Sequence, residues 1–115
     1  MPSATRDDIV ELYGVNALVV ADRDGSGEPD EDAVQRALAF ATGEMDTYIG
    51  RRYSLPLPAS NQHLAQLCVD IALYRLALSQ EVATTEHRKR YDDALLVLTK
   101  IADGRAALSL PVTDP

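Results

Sequence analysis

The sequence predicts an all-α fold: a small bundle of three substantial helices, preceded by a short N-terminal helix and followed by an extended C-terminal arm. Three observations predict it. Apolar residues recur at steps of three and four over three long stretches, the period of a helix with one buried face. Helix-starting residues (Thr5, Asp30, Ser60, Thr84 or Thr85) and helix-stopping glycines (Gly14, Gly104) bracket the periodic segments. With 115 residues, 46% of them hydrophobic, the chain has the length of one domain and enough apolar material for a core. A single domain over 1–115 is expected, as a bundle over 1–105 and an arm over 106–115.

Taking the elements in order, Thr5 and Asp8 make a capping-box start, and Ile9, Leu12 and Tyr13 fall at helical spacing before Gly14. This predicts a first helix over about residues 5 to 13. Ala17-Leu18-Val19-Val20-Ala21 is too short for periodicity to separate a helical turn from a buried strand, and a helical turn is favoured. After an acidic loop, Asp30 is a good N-cap, and Glu31 and Asp32 put negative charge at the positive end of the second helix. Its stripe is Val34, Leu38, Ala41, Met45, Tyr48 and Ile49, along a rod from about 31 to 51 that is ~30 Å long. Gly43 within it suggests a close crossing by another helix.

Each proline of Leu55-Pro56-Leu57-Pro58 pushes the residue before it out of the helical region, so an extended connector over 54 to 58 separates the second helix from the third. With Ser60 as its cap, the third helix points Leu64, Leu67, Cys68, Ile71, Tyr74 and Leu78 inward. Leu73, Leu76 and Ala77 add apolar surface off that stripe. A helix apolar over so much of its circumference is either the centre of the bundle or is buried on a second side by a partner. The fourth helix points Tyr91, Leu95, Leu98 and Ala102 inward, leaves Leu96 and Val97 off its main face, and ends at Gly104. The remainder, 106–115, alternates apolar with small or polar residues and ends on prolines. As an extended arm it would gain from docking Leu108, Leu110 and Val112 on another subunit.

The densest signature is Tyr48-Ile49-Gly50-Arg51-Arg52-Tyr53-Ser54-Leu55-Pro56-Leu57-Pro58, a helix end with two arginines and a tyrosine running into the proline-bounded connector. It stands in order with Thr5-Arg6-Asp7-Asp8, with the acidic loop Asp22-Arg23-Asp24-Gly25-Ser26-Gly27-Glu28, with Cys68 to Leu76, and with Arg90-Tyr91-Asp92-Asp93-Ala94-Leu95. This succession resembles a family of small neck proteins from Mu-like phages and prophages, over most of the chain. The resemblance implies a head-to-tail adaptor: a helical protein in a homo-oligomeric ring of twelvefold symmetry, between the portal protein and a stopper or tail-terminator protein. It also implies a place in the virion neck, reached from the host cytoplasm during assembly.

Charge and composition exclude other classes. The net charge of -7 and a pI near 4.6 oppose general binding to a phosphate backbone. The clusters Arg51-Arg52 and Arg88-Lys89-Arg90 are solvated helix ends, or in a ring could line a DNA conduit or meet an acidic neighbour. No apolar run reaches the ~18 residues of a membrane span, and the start lacks the pattern of a secretory signal, so no membrane partner is expected. One cysteine cannot form an internal disulfide, and Cys68 among apolar neighbours reads as core filling.

The sharpest chemical candidate is Asp22-x-Asp24-x-Ser26-Gly27-x-x-Asp30, which copies the oxygen ligands and the turn glycine of a calcium loop. The copy lacks its bidentate glutamate, since Ala33 holds position twelve, and Pro29 interrupts position eight. A helix-capping acidic turn is the plainer reading of residues 22–33, and a calcium-responsive binding module the contrasting one. Glu44, Asp46 and Asp70 show no pairing as acid and base, His63 and His87 stand alone, and there is no phosphate loop or nucleophile elbow. No cofactor is implied, and an enzyme is the poorest reading. Asp70 and Arg75 in an apolar helix need partners. Arg51 or Arg52 is the expected partner of Asp70, whereas Arg75 pairs within the chain or reaches a neighbouring subunit. The expected interface therefore comprises Arg51, Arg52, Tyr53, Leu55, Leu57, Arg75, Leu108, Leu110 and Val112.

Overall fold

A computed structural model describes residues 3–21, 29–53, 55 and 62–105. The expected helices form, in the order α1 (Arg6–Tyr13), a 3₁₀ helix (Val15–Ala21), α2 (Glu31–Ile49), α3 (Gln62–Ser79) and α4 (Thr85–Ala102). Local chemistry sets their ends. At α1 the Asp8 N–H donates to the Thr5 hydroxyl, and the Thr5 N–H donates to the Asp8 carboxylate at 2.8 Å. Gly14 ends the helix at φ 86, a left-handed value that favours glycine. The short apolar run is helical, as favoured, and buries Leu18, Val20 and Ala21. Asp30 caps α2 by accepting from the Ala33 N–H, and its own N–H donates to the Ala21 carbonyl at 2.7 Å.

α3 is the centre of the molecule. It packs against α1, the 3₁₀ helix, α2 and α4. Every residue from Leu67 to Tyr74 is buried, as are Leu76 and Ala77. Thus Leu73, Leu76 and Ala77, expected as surplus apolar surface, are covered by the chain itself, because helices pack on both flanks of α3. Leu78, expected inward, is instead 49% exposed beyond the last covered turn. Gly43 is also not a crossing point: a β-carbon there would meet nothing within 4 Å. α2 stops at Ile49, two residues short of the expected end, and tight turns then carry Arg51, Arg52 and Tyr53.

Both later helices close with the same pair of backbone bonds. After α3, the Glu81 N–H donates to the Leu78 carbonyl and the Val82 N–H to the Ala77 carbonyl, with Glu81 at φ 58. After α4, the Gly104 N–H donates to Ile101 and the Arg105 N–H to Lys100, with Gly104 at φ 80. This arrangement satisfies carbonyls that a helix end leaves orphaned. Between the two helices, Thr84 caps α4 and its N–H donates to His87 Nδ1 at 3.1 Å, a histidine standing where a capping box usually has glutamate. In α4, Leu98 and Ala102 are buried as expected and Tyr91 and Leu95 are half-buried, while Ala94 and Ile101 complete the face.

Candidate interaction surface

Where α2, α3 and α4 meet, one carboxylate ties the three together. Glu44 accepts from the Arg75 guanidinium at 2.6 Å with one oxygen and from the Tyr91 hydroxyl at 3.1 Å with the other. Tyr91 stacks on Tyr74 with centroids 4.4 Å apart, and Arg88 donates to the Tyr74 hydroxyl at 2.8 Å. Burial, followed by the nearby Glu44 charge, pushes the Tyr91 phenol up. Arg75 therefore has the within-chain partner that was one of its two expected roles, yet it remains 41% exposed. Its guanidinium lies 5.3 Å from the ring centre of Phe40, which is itself 66% exposed. Beside this pair lies an open surface hollow of about 560 Å³, lined by Ala39, Phe40, Gly43, Glu44, Thr47 and Arg75.

Asp70 has a different partner from the one expected. Its carboxylate accepts from the Tyr13 hydroxyl at 2.5 Å, and the Arg90 guanidinium lies 4.1 Å from the centre of the Tyr13 ring. Burial pushes the Asp70 carboxyl up against the opposing pull of the Tyr13 hydrogen bond and the Arg90 charge. Arg52 serves elsewhere, since a side chain on Gly104 would run into its guanidinium. Tyr13 is 57 residues from Asp70 in the chain, and no local spacing signals that pairing. Only its place at the end of an amphipathic helix marked it as an inward-leaning aromatic.

The other expected interface residues divide. Arg51 is exposed, Arg52 half-buried, and Leu55 exposed with a methyl close over Gly50. Tyr53 is 2% exposed and belongs to the core, which corrects its place at an interface: the turn after α2 folds its ring inward. Leu57, Leu108, Leu110 and Val112 lie outside the described residues, as do Asp22, Asp24 and Ser26 of the acidic loop and Ser60. Asp30, the fourth oxygen of that loop, is engaged in capping α2. Among the described residues no three His, Cys, Asp or Glu side chains gather as metal ligands, and no helix is long and apolar enough to cross a membrane. The second basic cluster is already compensated, because Arg88 pairs with Asp92 at 3.1 Å and Arg90 with Glu86 at 3.2 Å. Cys68 is buried against Thr42 and the Leu38 carbonyl, and burial raises its thiol, which makes it a poor nucleophile.

Sequence reasoning missed much of the exposed apolar surface. Val15, Val19, Phe40, Val82 and Leu96 are all more than half exposed. Of these only Leu96 was placed off a helix face. Phe40 sits two positions after Leu38 and carries no periodic signal of its own.

The described residues define a small helical bundle that carries an open hollow, a half-exposed cation and scattered apolar side chains on its outside. Its relationships are with phage proteins. The family described as "Bacteriophage Mu, Gp36" matches residues 4–115, and the chain belongs to that family. It is 34% identical over 112 residues to the Mu-like prophage FluMu protein gp36 of Haemophilus influenzae, covering 96% of this chain and 78% of that protein. It is 30% identical over 117 residues to gene product J of Escherichia phage Mu, covering all of this chain and 77% of that one.

Proposed function

We propose that this protein is a virion structural component, a head-to-tail adaptor that assembles as a ring on the portal and offers its far side to a stopper or tail-terminator protein. The observation that carries the reading is the outside of the molecule. The core is closed by the chain itself, yet Val15, Val19, Phe40, Val82 and Leu96 remain on the surface of a member of a phage protein family. Scattered single apolar residues are ordinary on a monomer. Their distribution over α1's flank, α2 and α4 suits a subunit touched by several neighbours, as a ring member between two other rings would be. Twelvefold symmetry would match a portal ring. Contact with DNA in the channel would be passive, since the chain is acidic and its Arg88 and Arg90 are paired internally.

The test is direct. Purified protein mixed with the portal protein of the same phage is expected to co-purify with it and to appear in electron micrographs as an added ring. Failure of both, with folded protein, would remove the adaptor role.

A further inference from the structure

We propose that residues 3–13 form a hinged strap, latched by Tyr13 to Asp70, that swings about Gly14 and uncovers the turn of α3 carrying Cys68 and Asp70 while the rest of the bundle stays folded. The inference does not depend on the adaptor reading.

The strap is held at its two ends and lightly between them. At one end the Ser3 N–H donates to the Thr42 hydroxyl of α2 at 2.8 Å, and Ala4 is buried. The backbone N–H groups of Ser3 and Ala4 also donate to the Cys68 sulfur, so this end lies over the thiol. At the other end the Tyr13 hydroxyl donates to Asp70, and Arg90 of α4, which pairs with Glu86, covers the Tyr13 ring. The strap thus runs across α3 from its α2 flank to its α4 flank. Between the ends, only Ile9 of the eight residues of α1 is buried, whereas eleven of the eighteen in α3 are. The Arg6–Glu31 pair also ties α1 to α2, but its side chains are 41% and 48% exposed, and such a pair adds little. An element with so little buried apolar surface lies at the low end of local stability. A helix of eight residues does not persist alone in water, so α1 melts as it leaves.

The hinge is built in. Gly14 ends α1 at φ 86, and nothing lies within 4 Å of where its β-carbon would stand, so the backbone is free to turn there. Beyond it the chain is fixed, because the 3₁₀ helix buries Leu18, Val20 and Ala21, and the Ala21 carbonyl accepts from the Asp30 N–H. Opening therefore stops at Gly14. The latch sets its frequency. With the strap closed, loss of the Tyr13 hydroxyl leaves Asp70, only 7% exposed, without that donor. With the strap open, water reaches Asp70 and replaces the phenol. Removing the hydroxyl thus weakens the closed state alone.

Labelling of native Cys68 reads the opening, since the thiol is fully buried under the closed strap. In the full chain, reaction with a maleimide is expected well below the urea midpoint, at a rate nearly independent of urea because little surface is exposed. Tyr13→Phe should label about tenfold faster or more. Ile101→Val, three turns along α4 from Arg90, should lower the urea midpoint and leave labelling within about twofold of the parent. Amide exchange supplies a second readout. In the parent, residues 9–13 should exchange about tenfold faster or more than residues 38–45 of α2, and Ile101→Val should speed only the latter. Labelling that rises with urea in step with global unfolding, or that is no faster in Tyr13→Phe, would overturn the proposal. So would equal protection of α1 and α2, because the strap would then leave only when the whole bundle unfolds.

Discussion

Single residues decide several features of this fold. Glu81 closes α3 in the left-handed region at φ 58, where a β-carbon costs about 1–2 kcal/mol that glycine avoids. Glu81→Gly should therefore stabilise the protein by up to about 1 kcal/mol once glycine's greater freedom in the unfolded chain is subtracted, read as a higher midpoint in urea. His87 holds the N-cap N–H of α4 through Nδ1, which must be unprotonated to accept. Burial lowers its folded pKa below 6.5, with the Arg90 charge adding to the effect. The contribution is fully present above 6.5 and is lost as pH falls through the folded value. Protonation should cost up to about 1 kcal/mol, a typical cap. His87→Gln, which can make the same capping bond, should abolish that loss, so denaturation midpoints of the two proteins should diverge below pH 6.5. Tyr13 gives the alkaline counterpart. Its phenol is pushed up to about 12, first by burial and then by its bond to Asp70 and the charge there. A raised folded pKa gives stability that is whole below 10.0 and disappears as pH rises through about 12. Tyr13→Phe should lack this alkaline loss, while costing about 1–3 kcal/mol at neutral pH because Asp70 stays buried without its donor. Unfolding curves of both proteins at neutral pH and above pH 10 would check the two effects.

At the scale of elements, the helices were legible because their signals are local. The Thr5–Asp8 capping box, the Asp30 cap and the Thr84 cap all act across three residues; the first two stand where the sequence placed them, and Thr84 is one of the two starts it offered for α4. What encloses a helix is not a local property. α3 carries apolar residues around most of its circumference, which fits either a central helix or a partner-covered one, and only the packing of four elements around it decides for the former. Charged side chains in that helix were likewise visible as needing partners, but Tyr13 and Glu44 come from other helices, and no spacing could name them. Phe40 escaped notice for the opposite reason: it lies off the periodic stripe, and nothing local distinguishes a solvated aromatic from one waiting for a partner. The enclosure of α3 makes a quantitative prediction. Leu76→Ala should cost about 2–5 kcal/mol, as a truncation in a filled core does, whereas Leu78→Ala two residues on should fall within about 0.5 kcal/mol of the parent. Chemical denaturation of the isolated protein measures both. Near-equal effects would mean that the chain alone does not bury Leu76.

For the whole molecule, the question is what its outer surface is for. The buried set runs continuously from Ala4 and Ile9 through α2 and α3 to Ile101, so the described residues form one closed core. Apolar residues left outside are thus free to serve assembly, and substitutions there should separate folding from assembly. Val19 and Leu96 are 69% and 55% exposed, one on the 3₁₀ helix beside α1 and one on α4. Val19→Asp and Leu96→Asp should each leave the helix content and denaturation midpoint close to the parent, because surface changes away from caps and ion pairs move stability by about 0.5 kcal/mol or less. If these residues meet neighbours in a ring, each substitution buries an unpaired carboxylate at the contact and should weaken association at least tenfold, since about 1.4 kcal/mol suffices for that. Co-sedimentation with assembled portal, followed by complementation of a phage lacking the gene, would read the loss. If both variants bind and complement like the parent, these two positions lie outside the contacts, and the interface must be sought around Phe40 and Arg75.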